Sequence, residues 1–162
     1  MTNHVHIVAI PEREDSFALL FRRAHSSYAA EFKEKYGFSG HLWEARFYSC
    51  PLDEGHTIAA VRYVERNPVR AKMVGRAEEY EWSSAVAHCG LACDPLLTAH
   101  PLLEKVPDWA AWLSEAGDQT AEAFIRKRTQ TGWPCGTDAF VRDLERRTGR
   151  RMRPPRRGPK GH

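Results

Sequence analysis

The sequence predicts an α+β domain with a helical C-terminal extension, and three observations predict it. Residues 4–10 and 42–49 alternate side-chain character with the period of a strand. Residues 17–32 instead repeat apolar side chains at three- and four-residue steps, the period of a helix. Beyond residue 100, three further stretches read as helices, the last two ending at a glycine.

The first strand is HVHIVAI, stopped at Pro11. In a strand, His4 and His6 share one face while Val5, Ile7 and Ala9 take the other, so the two imidazoles stand about 7 Å apart at the backbone. That spacing lets both reach one divalent cation. It equally describes an ordinary strand with two polar residues on its wet face.

Ser16 is the expected N-cap of a helix running to Gly37, with Phe17, Leu20, Phe21, Ala24, Tyr28 and Phe32 as its core face. Arg22, Arg23, Lys33 and Lys35 lie mostly off that face, where charges are solvated or meet phosphates. In GHLWEARFYSC, Leu42, Glu44, Arg46 and Tyr48 alternate with Trp43, Ala45, Phe47 and Ser49 as a second strand. Arg46 beside aromatics suits a structural ion pair, or stacking on a base while holding a phosphate.

The next helix starts at Asp53 with Ile58, Val61 and Val64 as its buried stripe. Tyr63 and Asn67 are one turn apart and share a face. Pro68 ends the helix at Asn67 and opens a second turn. Asn67 therefore suits an N-cap, and Tyr63 a core phenol with its hydroxyl at the surface.

Farther on, Leu103, Val106, Trp109, Trp112 and Leu113 predict a short helix packing on the core. DQTAEAFIRKRTQT predicts another that ends at Gly132. Thr137 or Asp138 caps a third that ends at Gly149 and buries Phe140, Val141 and Leu144. These two helices around WPCG suit a helical hairpin or a small DNA-binding unit. The final RRMRPPRRGPKGH has no apolar period and is expected to be disordered alone. The expected division is 1–88, 89–145 and a basic tail, 146–162.

Charge is unevenly spread. Residues 77–125 hold nine acidic side chains and one basic one, whereas residues 146–162 hold eight basic and none acidic. A tail of one sign at that density seeks phosphates or serves as a solubilising segment. The four cysteines lack a second ligand pair at zinc-site spacing, so reduced thiols are expected. No apolar run approaches the length of about 18 residues that a membrane helix needs. The N-terminus has no secretory pattern, so the expected compartment is the cytoplasm, in association with the nucleoid.

MTNHVHIV, GHLWEARFYS, VRYVERNPVRAKMV and YEWSSA occur in one order and spacing. Together they resemble the REP-associated tyrosine transposases, within the single-tyrosine HUH transposase family, over residues 1 to about 88. The resemblance implies a ferredoxin-like HUH fold. It also implies that this chain lacks the strand, helix and strand that precede the histidine strand, either as a truncated copy or because its start lies upstream of Met1. It makes His4, His6 and Asn67 the ligands of Mg²⁺ or Mn²⁺, and Tyr63 the nucleophile. Arg46 by its aromatic neighbours and Arg150, Arg151, Arg153, Arg156 and Arg157 by the charge of the tail are, with Arg70, the expected DNA-contacting set.

The implied activity is cleavage and rejoining of single-stranded DNA at repetitive extragenic hairpins, through a 5′-phosphotyrosine link. A phenol suits this chemistry because it ionises more readily than an aliphatic alcohol and can later be displaced. The implied partners are hairpin DNA and, through an exposed sheet edge, a second copy of the chain as a homodimer. The alternative reading is a non-catalytic DNA-binding remnant of such an enzyme.

Overall fold

The computed structural model describes residues 4–44 and 47–154. Ala9–Ser49 form one compact unit, and the residues up to Val8 together with those from Cys50 onward form another. Among the described residues, every regular element is helical, and strand pairing is confined to one isolated parallel bridge between Leu52 and Cys135.

This corrects the α+β, ferredoxin-like expectation. A strand is stabilised by a neighbour that accepts its backbone hydrogen bonds, and neither alternating segment has one among the described residues. Residues 4–10 are not assigned to any strand, with Val5 69% and Ile7 56% exposed, while His6 is half-buried and Val8 packs on the core. The alternation therefore survives with its faces reversed relative to a buried apolar strand face. Residues 42–44 form bends, and the odd-numbered Trp43 and Phe47 lie against a helix instead of a sheet.

That helix, α1 (Ser16–Tyr36), belongs to the Ala9–Ser49 unit. It follows Asp15, and Ser16 accepts from the Arg13 amide, so its hydroxyl braces the preceding turn. It ends at Gly37 in the left-handed conformation, φ 61°, which glycine adopts without a Cβ penalty. Phe17, Phe21, His25, Tyr28, Phe32 and Tyr36 make an aromatic stripe along it. Trp43 stacks on His25 at 4.0 Å, donates its indole N–H to the His25 carbonyl, and Phe47 packs on Phe21 at 4.6 Å. No residue of α1 is fully buried.

The other unit is built around α2 (Glu54–Glu65). The Asp53 side chain accepts from the His56 amide at 3.0 Å and from the Thr137 amide at 2.8 Å. One carboxylate therefore joins the start of α2 to the start of a much later helix. After α2 come α3 (Asn67–Arg70), with Pro68 in its first turn as expected, and α4 (Ala85–His88). These are followed by α5 (Trp109–Ser114), α6 (Gln119–Thr131) and α7 (Asp138–Thr148). Gly132 and Gly149 end α6 and α7 in the left-handed conformation, and Thr137 caps α7.

Two apolar clusters flank α2. Val61 meets Ala77, Ala85, Trp109 and Leu113, with Val8, Leu103, Val106 and Trp112 around them. Tyr63 meets Ile125 and Cys135 on the other side. Both clusters draw residues from either side of position 88. Arg62 donates to the Trp112 and Glu115 carbonyls, and Arg66 to those of Leu113 and Glu115, so two α2-end arginines satisfy the orphan carbonyls of α5. All four cysteines are free thiols, and none of the described helices is long and apolar enough to cross a membrane.

Candidate active site

Tyr63, Asn67 and Arg70 follow the 4, 3 spacing that puts side chains above one another on a helical face. The break between α2 and α3 at Arg66 keeps them aligned, because Arg66 and Pro68 both stay in near-helical geometry. The Tyr63 ring is 5% exposed, wedged between the core and a cleft of about 120 Å³ lined by Tyr63, Arg66, Val69, Arg70 and Glu122. Arg70 donates to the phenol oxygen at 3.1 Å, and its guanidinium lies 4.6 Å from the ring centre. The ring is in the core as expected, and its oxygen lies under a guanidinium.

The N-terminal segment reaches the same place. The His6 ring lies 6.1 Å from the Tyr63 ring, and His4 packs edge-on against His6 at 4.9 Å. Burial lowers the His6 pKa from its ordinary value, and the neighbouring His4 and Arg70 charges push the same way. A neutral imidazole is the form that can ligate a metal.

Asn67 is 1% exposed, and its side chain does not cap α3. Its Oδ1 accepts from Arg70, and its buried Nδ2 has no partner among the described residues. The donor set therefore fits a divalent cation in part. The His4 and His6 rings are adjacent, whereas the Asn67 oxygen already faces a positive group. Among the described residues, no three His, Cys, Asp or Glu side chains converge as a ligand group, so a site here needs Asn67 or other oxygens to complete it.

The remaining expected contacts are scattered. Arg70 lies at the site itself. Arg153 pairs with Asp138 and Glu145 of α7, Arg151 donates to the Pro154 carbonyl, and Arg150 is exposed. Arg46, Arg156 and Arg157 lie outside the described residues.

Sequence reasoning missed Glu65, which is 0% exposed and sits between Tyr63 and Asn67. Its carboxylate accepts from the Ser84 hydroxyl at 2.5 Å and pairs with His88 at 2.6 Å, while His88 stacks on Trp109 at 4.4 Å. Burial raises its pKa, opposed by Ser84 and His88. The signal was an acidic residue in an otherwise apolar helical neighbourhood, Val61, Val64 and Glu65. This cluster ties the YEWSSA segment to the helix that carries Tyr63. Compared with family models, curated proteins and solved structures, the chain matches none.

Proposed function

We propose that this chain is a metal-dependent tyrosine endonuclease and strand transferase of the REP-associated transposase kind, acting on single-stranded hairpin DNA at the nucleoid. The observation that carries the proposal is the meeting of His6 with Tyr63, with His4 beside His6, because it joins two of the motifs that suggest the family. Tyr63 supplies the oxygen that bonds to phosphorus. The phosphorus–O3′ bond breaks, the phenol proton ends on the departing 3′-oxygen by way of water, and a 5′-phosphotyrosine link remains. Rejoining reverses these changes on another 3′-hydroxyl, so no nucleotide triphosphate is consumed.

His4 and His6 would hold Mg²⁺ or Mn²⁺, with the second lone pair of Asn67 Oδ1, which keeps its bond from Arg70, as the further ligand. The bound ion would polarise the scissile phosphate and stabilise charge on its oxygens. Exposed Arg150 and Arg151 would meet the DNA backbone. The deep burial of Tyr63 favours the second reading, a DNA-binding remnant without catalysis.

The test is a labelled hairpin oligonucleotide incubated with Mn²⁺. Wild-type protein is expected to form a covalent protein–DNA adduct and Tyr63→Phe none, with DNA affinity retained. An adduct formed by Tyr63→Phe removes Tyr63 from the role, and no adduct with either protein leaves the remnant reading.

A further inference from the structure

An arginine that merely steadied DNA would have no reason to lie on the nucleophile, yet Arg70 does. It donates to the Tyr63 oxygen at 3.1 Å, covers the Tyr63 ring at 4.6 Å, and donates to Asn67 Oδ1. Asn67 is the fixed end of this arrangement, since its side chain is buried and its backbone is braced by Pro68. A buried amide oxygen that accepts from a guanidinium restricts where that planar group can point. Both bonds leave from Nη2, so Nη1 and Nε have no acceptor among the described residues, and Arg70 itself is exposed at the cleft.

We infer that Arg70 is a positioning residue for Tyr63: anchored by Asn67, its guanidinium orients the phenol oxygen and offers it positive charge as the proton leaves. This deepens the proposed function and rests on it for the reaction, while the Arg70–Tyr63 coupling has a readout of its own. Arginine suits the task because it stays charged throughout the physiological range and binds two oxygens at once. Lysine at this position would supply the charge without the planar fork.

The experiment uses the full chain labelled with [¹³Cζ]tyrosine, the Tyr63 resonance being identified by its loss in Tyr63→Phe. Without DNA, Arg70→Ala is expected to move that resonance and leave those of Tyr28, Tyr36 and Tyr48 in place. With a hairpin oligonucleotide, Arg70→Ala is expected to slow adduct formation about 100-fold at saturation. Hairpin affinity should stay within about threefold. Added guanidinium ions should restore part of the rate, and Arg70→Lys should fall between the two proteins.

A Tyr63 resonance unmoved by Arg70→Ala overturns the inference whatever the adduct assay gives. So does an Arg70→Ala protein that loses affinity but keeps its rate at saturation, which would return Arg70 to the DNA-contacting set. If wild-type protein forms no adduct while the resonance still moves, the proposed reaction fails and the coupling stands.

Discussion

Helices α1 and α2 carry the same kind of amphipathic pattern and have different fates. The 21-residue α1 buries none of its residues, and its aromatic stripe touches rings of its own unit while Tyr28 and Tyr36 stay exposed. The 12-residue α2 buries Ala60, Val61, Tyr63 and Glu65, because later helices close over it on two sides. The difference teaches that periodicity identifies a helix but does not supply the surface that covers it. In α2 even a carboxylate is enclosed, and the enclosure gives it specific partners.

The strongest way to probe this contrast is Glu65. Glu65→Ala leaves the Ser84 hydroxyl and the His88 ring without their acceptor, at an expected cost of about 3 kcal/mol in denaturant melts. Glu65→Gln keeps an acceptor and removes the buried charge, so it is expected to be neutral or stabilising at pH 7. The pH dependence follows from the raised carboxyl pKa. The folded protein holds this proton more tightly than the unfolded chain, so stability falls as pH rises from the ordinary carboxylate range through the raised value. In Glu65→Gln that fall should vanish, and its persistence would assign it to another group.

Asp53 tests the same unit with the opposite sign. Burial pushes its carboxyl up, but hydrogen bonds from His56 and Thr137 outweigh burial and hold it below the ordinary range. Its stabilisation is present above the unfolded pKa and is lost as pH falls through the folded one. Asp53→Ala is expected to cost about 1 kcal/mol near neutrality, and less in acid, by thermal melts. An equal cost at all pH values would mean that Asp53 acts by packing.

The smallest effect is expected in α1. Phe21 touches Phe17, His25 and Phe47 but remains half-buried. Phe21→Ala should cost about 1 kcal/mol, against the 3–5 kcal/mol typical of a core phenylalanine. A loss at the core value, read by cooperative unfolding, would break the comparison and show that α1 is as well covered as α2.

Much of the helical architecture was legible in the chain itself. Gly37, Gly132 and Gly149, the Asp53 and Thr137 caps, and Pro68 mark helix limits through interactions among near neighbours. Their energetics depend on a few adjacent residues, so local reading suffices. Leu103, Val106, Trp109, Trp112 and Leu113 were likewise readable as one packing face. The expected sheet was not, because the alternation at His4–Ile10 and Leu42–Ser49 states which side chains share a face but not whether another strand will pair. Tertiary structure decided that His6 meets Tyr63, that the phenol under Arg70 is buried, and that Glu65 is sealed against Ser84 and His88. Of these, the His6–Tyr63 and Glu65 contacts join segments far apart in sequence, and all depend on how each side chain is enclosed. The free energy of such contacts comes from desolvation and hydrogen bonding that exist only after the chain has closed around them.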